Sequence, residues 1–309
     1  MEDGLVELKP HTLEKLRREV DLDDPDRRRE AIDILREWIK KQDHFLVKDF
    51  SDYYLEWRLL TNGGSIEKSK IVIDRLCTLR TLNPHLFGVY NVKEDFAHVF
   101  DNGICFALPK VMEEDIRVSF IKFFKKDHIK TYFVDFLRYI VVMAEYMTYH
   151  DYLHKTVLVF DFLDVNLNSF VTDMDFMELK RHSTVLLEGF RMKPQKILLM
   201  TESNLAATLL TILKTLLKPK IIQRIQVIRN HEELSEIVPR EILPKDYGGD
   251  EIAFKDLKEK WLNELSSPKM MEMLKQRSKE RTDESLRPMC QFSEHYAGME
   301  GTFRFLRVD

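Results

Sequence analysis

The chain has 309 residues, of which 44% are hydrophobic and 32% charged, which excludes a disordered or fibrous protein and suggests two domains whose core needs no disulfide or metal. A net charge of −4, from 48 Lys and Arg against 52 Asp and Glu, excludes a broadly basic nucleic-acid binder but leaves room for a local basic patch. The 20 Phe and 13 Met suit a packed core, and equally an adaptable apolar cavity.

Residues 1–10 carry Glu2, Asp3 and Glu7 and lack the basic and apolar regions of a secretory signal. No apolar run approaches the ~18–20 residues that span a bilayer; the best, 136–147, is broken by Arg138 and Glu145. Cys77, Cys105 and Cys290 are odd in number and lack CxxC spacing, as expected of reduced thiols in a cytosolic protein.

Residues 1–95 read as helical. Leu13, Leu16 and Val20 recur at helical spacing, and Ile32, Leu35, Trp38 and Ile39 repeat it in a segment starting near Asp26. Asn62-Gly63-Gly64-Ser65 is a turn whose serine can cap the next helix, where Ile73, Leu76 and Leu79 share a face until Asn83-Pro84 ends it. The pattern then changes. Residues 104–108 and 116–123 are β-rich, and a long helix over 130–153 carries Phe133, Leu137, Ile140, Val141 and Ala144 in an apolar stripe. The apolar runs 156–161 and 196–200 read as buried strands, with a helix through Met177 and Val185 between them. A helix over 204–217 precedes a short strand at 224–228. This alternation predicts an α/β unit at 96–250 with a mostly parallel sheet covered by helices. The remainder, 251–309, reads as one charged amphipathic helix over 254–279 (Phe254, Leu257, Trp261, Leu265) and an irregular tail.

No GxxxxGK[ST], GxGxxG, GxSxG or HExxH motif is present, and no cofactor or metal is expected. His150 and His154 lie four apart, half of a metal site, but at what reads as a solvated helix end without further ligands nearby. Asp161 and Asp164 follow a strand where α/β enzymes place carboxylates, which leaves an α/β hydrolase-like enzyme as a remote alternative; turns and caps use the same residues. Cys77 and Cys105 have no neighbouring His and read as buried structural thiols. The sequence does not read as a catalyst.

The most informative segment is Leu205 to Leu213, which carries no charge and is apolar nearly all round rather than on one face. Lys214, Lys218, Lys220 and Arg224 follow, with no Asp or Glu anywhere in 204–231. Two readings fit: a greasy gate beside an anionic membrane contact, where each cation contributes about 1 kcal/mol, or a buried helix with a solvated basic end.

Glu241-Ile242-Leu243-Pro244-Lys245-Asp246-Tyr247-Gly248-Gly249 resembles the closing signature of the CRAL-TRIO lipid-binding family, nearest its tocopherol- and retinaldehyde-binding, insect-type branch. Gly64 to Lys70, Thr78-Leu79-Arg80, the strand ending at Asp161 and Glu188-Gly189-Phe190 carry the same resemblance. It implies a helical N-terminal domain packed on a lipid-binding α/β domain whose sheet floors an apolar cavity. Under it, Leu137, Ile140, Val141 and Ala144 face Leu158, Phe160, Ile197 and Leu199, with Val185 nearby and Phe190 and Met192 closing one end. The mobile gate falls on 204–217, placing Leu205, Leu209, Leu210 and Leu213 over the mouth. Lys193, Lys220 and Arg224 fall on positions that recognise phosphoinositide headgroups in the tocopherol carrier, with Lys214 close by.

The chain also departs from the family pattern. Asp164 replaces a Gly, Arg191 a Pro, Thr201-Glu202-Ser203 an Asn-x-Pro, and Gln195 a basic residue. Ile140 and Ala144 replace two serines that face the ligand, a loss of hydroxyls that predicts a more purely hydrocarbon cargo. The resulting expectation is a monomeric cytoplasmic carrier, not an enzyme, that is transiently membrane-associated. It would transfer one tocopherol, retinoid, carotenoid or similar terpenoid at phosphoinositide-containing membranes; the alternative is a phosphoinositide-binding trafficking or signalling protein.

Overall fold

The computed structural model describes residues 5–124 and 129–287, so Cys290 lies outside the described residues. Four helices open the chain: α1 (Thr12–Glu19), α2 (Pro25–Lys40), α3 (Asp52–Thr61) and α4 (Ile66–Leu82). Their starts are written locally. Asp24 accepts hydrogen bonds from the amides of Asp26 and Arg27 at 2.8 and 3.0 Å ahead of Pro25, and Ser51 and Ser65 cap α3 and α4 through Tyr54 and Lys68, each at 3.3 Å. Leu35, Ile39, Tyr54 and Leu59 build a core among these helices. Helix α4 is shared: Ile73 and Cys77 face that core, whereas Leu76 and Leu79 belong to the larger core under the sheet. The single face expected for Ile73, Leu76 and Leu79 is therefore two, because α4 is buried on both sides.

A short α5 (Val92–Asp95) leads into β1 (Gly103–Val111) and β2 (Arg117–Phe123), which pair antiparallel. Helix α6 (Phe133–His150) crosses to β3 (Lys155–Asp161); α7 (Leu167–Asp173) and α8 (Phe176–Thr184) cross to β4 (Lys193–Met200); α9 (Ala206–Leu216) and α10 (Pro219–Ile222) cross to β5 (Ile225–Ile228). The strands lie in the order β1-β2-β3-β4-β5, parallel from β2 onward, as the alternation of apolar strands and helices predicts.

Several boundaries differ from expectation, including β1, which extends to Val111, and α6, which is shorter at both ends; three more have a visible cause. The helix through Met177 and Val185 is two helices followed by a π-turn at Val185–Gly189, since Asp175 caps α8 by accepting from the amides of Met177 and Glu178 at 3.0 Å each. Strand β4 begins at Lys193, its start masked in sequence by the polar Lys193-Pro194-Gln195. After α11 (His231–Ser235), the single C-terminal helix is α12 (Phe254–Leu265) and α13 (Pro268–Arg277), because Pro268 cannot continue α12 and Ser267 starts a new helix by accepting from the Met270 amide at 3.1 Å.

The C-terminal helices are integral to the packing. The Trp261 indole is buried and donates to the Ala107 carbonyl at 3.0 Å, and Thr282 bridges back to Phe45. Buried Arg80 of α4 reaches Glu145 of α6 at 2.7 Å and Glu280 at 3.0 Å. The closing signature is equally structural. Tyr247 donates to Asp161 at 2.6 Å, Gly248 takes φ +76°, and a Cβ on Gly249 would lie 1.9 Å from the Leu243 carbonyl oxygen.

Candidate functional site: an apolar cavity under α9

Helix α6, the sheet, α8 and α9 enclose a cavity of about 260 Å³. Strand parity builds its floor: Arg117, Ser119, Ile121 and Phe123 of β2 face it, as do Thr156, Leu158 and Phe160 of β3. A bulge beside Gln195 shifts the parity of β4, so that Pro194, Ile197 and Leu199 all face the same way.

Of the residues expected to face ligand, Leu137, Ile140, Ala144, Leu158, Phe160, Phe190, Met192, Ile197, Leu199, Leu209 and Leu213 line this cavity. Val141, Val185, Leu205 and Leu210 do not. Val141 is a third of a turn from Ile140 and borders Leu86, Phe87 and Leu274 instead. Val185 is fully buried in the core outside the lining, Leu205 precedes α9 and is 36% exposed, and Leu210 turns half-buried off the cavity side. Phe133, Met143 and Met147 also line the cavity; the i, i+3 and i+4 spacing from Leu137 and Ile140 carries that signal in the sequence. The lining residues of β1 and β2, and His182 and Ser183 of α8, had no such signal.

One end of the cavity carries an ion pair: Arg117 Nε donates to Asp151 at 2.8 Å, and its other nitrogens reach the Leu108 and Glu7 carbonyls at 3.1 and 2.9 Å. The Trp57 indole of α3 donates to the Asp151 carbonyl at 2.9 Å, closing this end with the helical unit. His154 lies here too, contrary to the solvated helix end expected for it. Lys193 donates to its Nε2 at 3.0 Å, and burial followed by the Lys193 charge pushes its imidazole down to about 3. His150 stacks on Tyr146 at 3.9 Å, and among the described residues no His, Cys, Asp and Glu cluster could hold a metal ion.

Cys77 and Cys105 are buried, and burial raises both thiols to about 12. Asp161, the carboxylate an enzyme alternative would use, accepts from Lys122 at 2.8 Å and from Tyr247, and neither it nor Asp164 lines the cavity.

The cationic residues are distributed more finely than the sequence suggests. Lys214, Lys218 and Lys220 are exposed, but Lys218 pairs with Glu188 at 2.5 Å, so the basic run is not uncompensated. Arg224 donates to the Pro194 carbonyl. Lys193 also donates to the Thr61 carbonyl at 3.3 Å; burial, then the charges of Arg191, Lys155, Lys68 and Lys220, holds it below its ordinary value. Arg191 and Lys155 are thus members of a cationic group that sequence spacing did not reveal. Arg191 adopts φ +64°, a conformation closed to proline, and donates to Asn62 at 3.0 Å.

Helix α9 covers the cavity with only Ala206 and Leu209 fully buried. Its outer face is not apolar all round: Thr208, Thr211 and Thr215 are exposed. Thr211 and Thr215 turn their hydroxyls back onto the Ala207 and Ile212 carbonyls at 2.9 and 2.7 Å, so the backbone engages part of their polarity.

No curated protein sequence is similar enough to this chain to match it. Among solved structures, the crystal structure of Sfh5 is similar at 13% identity and a TM-score of 0.46, over 82% of this chain and 98% of that one. Residues 102–249, which hold the sheet, α6 and the covering helix α9, match the family model of the CRAL/TRIO domain.

Proposed function

We propose that the protein is a carrier that encloses one apolar small molecule in this cavity and exchanges it at an anionic membrane surface. The enclosed cavity, walled by Phe, Leu, Ile and Met side chains under a thinly anchored helix, carries the reading. Burial of apolar ligand surface at roughly 25 cal/mol per Å² supplies affinity without covalent chemistry. Opening of α9 supplies release, driven by whatever binds the open state better. The CRAL/TRIO match supports a hydrophobic ligand, and tocopherol, retinoids, carotenoids and similar terpenoids are the candidate class. No helix among the described residues is long and apolar enough to cross a membrane, so contact would be peripheral and transient, through Lys193, Lys214, Lys220 and Arg224.

One observation favours a second reading. Lys155 lines the cavity, with Lys193, Arg191 and Lys220 close by, so that end suits the phosphorylated headgroup of a phosphoinositide bound as a signal rather than as cargo. Native mass spectrometry of the protein from its own tissue, with organic extraction, tests both. A neutral terpenoid supports the carrier, a phosphorylated lipid supports the second reading, and protein that is empty as isolated and takes up neither class overturns both.

A further inference from the structure

We propose that the cavity selects a ligand bearing a hydroxyl donor, an alcohol or phenol on an apolar body, and that His182 accepts its hydrogen bond. This rests on the carrier reading and names the ligand chemistry that it leaves open. His182 lies on α8, is 3% exposed and lines the cavity. Its Nε2 is buried with no hydrogen-bond partner, and among the described residues no other cavity-lining side chain carries such an atom. A buried polar atom left unpaired is costly, so its persistence points to a partner that arrives with the ligand.

Several other polar groups on the lining are already engaged, and the hydroxyls of Ser119 and Ser183, which rotate to donate or accept, set no preference between the two. Thr148 donates to the Ala144 carbonyl at 2.9 Å, Arg117 and Asp151 pair at 2.8 Å, and His154 accepts from Lys193 at 3.0 Å.

Protonation sets the direction of the bond. Burial pushes the His182 imidazole down to about 3, so the ring is neutral at physiological pH and carries one N–H. The ring faces the Leu137 carbonyl, which can only accept, and with Nε2 unpartnered the N–H there is Nδ1–H. Nε2 is left as a lone pair that accepts and cannot donate. A hydroxyl satisfies it. A hydrocarbon, ether, ester or aldehyde leaves it bare, and a carboxylate sets lone pair against lone pair. The absence of serines at Ile140 and Ala144 therefore does not make the cavity a pure hydrocarbon site.

The test titrates full-length protein, stripped of lipid, with farnesol, farnesyl methyl ether and farnesene, read by tryptophan fluorescence since Trp57 lines the cavity. Farnesol should bind about tenfold tighter than the ether, equivalent to about 1.4 kcal/mol, and farnesene should resemble the ether. In His182→Phe the alcohol-to-ether ratio should fall to about one whatever the change in absolute affinity, while His182→Gln, which keeps an acceptor oxygen, should retain part of the preference. The wild-type ratio and the Gln variant decide the matter even if the Phe variant does not fold. Equal wild-type affinity for all three probes overturns the hydroxyl proposal and leaves the carrier reading intact. A preference that survives in His182→Phe overturns the assignment to His182. Failure of all three to bind removes the carrier reading and this proposal together.

Discussion

On one side of the cavity, α6 and strands β3 and β4 present Leu137, Ala144, Leu158, Ile197 and Leu199, each less than a tenth exposed; on the other, α9 spends eleven residues to bury two, Ala206 and Leu209. The first wall is held from behind, by parallel strand pairing, by Tyr247 on Asp161 and by Arg80 on Glu145. The second is held mainly by what it covers. Segments with little buried apolar surface open at low free energy, so under the carrier reading one wall sets the cavity's shape and the other its access.

Filling the held wall should have the largest effect. Ala144→Trp should abolish ligand uptake while cooperative unfolding persists at a cost of about 1–3 kcal/mol, measured by probe titration and a melting curve; undiminished uptake would place the ligand elsewhere. Disturbing what backs that wall comes next. Gly249→Val forces a Cβ into the Leu243 carbonyl and should cost about 3 kcal/mol, seen as a fall in Tm of several degrees, without altering ligand choice.

Acid should act on the cavity from α8, which belongs to neither wall. His182 has a folded-state pKa of about 3 against an ordinary 6.5, so the unfolded chain binds the proton more readily. Its contribution is fully present above about pH 6.5 and is lost as pH falls toward 3, roughly 2 kcal/mol by pH 5. His154, held equally low, adds a loss of the same sign, so denaturant titrations at pH 7 and pH 5 should show both, and His182→Gln should remove only its own share.

The gate should respond in kinetics rather than stability. Leu213→Ala should speed release of bound probe several-fold with little change in Tm, because Leu213 is only partly buried; a large Tm loss with unchanged release would make α9 part of the fixed core. The smallest expected effect is charge reversal at the exposed Lys214 and Lys220. It should leave affinity for free probe nearly unchanged, slow transfer to phosphoinositide-containing vesicles a few-fold, and fade with rising salt, since exposed charges are screened over about 10 Å at 0.1 M. Undiminished transfer at low salt would reduce the patch to a solvated surface.

The sequence made the sheet legible because its strands are continuous apolar runs, and it made α9 conspicuous because a chargeless helix is rare on a surface. It blurred where polarity and structure disagree. Lys193-Pro194-Gln195 looks like a loop but begins β4, and charged periodicity across Ser266-Ser267-Pro268 hides the break between α12 and α13. The candidate site was readable on α6, where helical spacing selects a face, although that spacing wrongly included Val141. It was not readable where contact depends on remote chain. Glu188 reaches Lys218 across 30 residues, Arg191 and Lys155 join Lys193 only in three dimensions, and nothing local marks His182 as buried.

The pairing of Arg80 with Glu280 has a consequence in time. The two residues are 200 positions apart, and Glu145, the other partner, comes 65 after Arg80. At a synthesis rate of about 5–20 residues per second, Arg80 emerges roughly 10–40 s before Glu280 exists. A guanidinium that is 1% exposed in the finished protein has only Glu145 as a partner until then, so the burial of α4 between helical unit and cavity domain is completed late. Under the carrier reading, ligand loading follows the emergence of Glu280, which completes the last ion pair of the helix between the two cores.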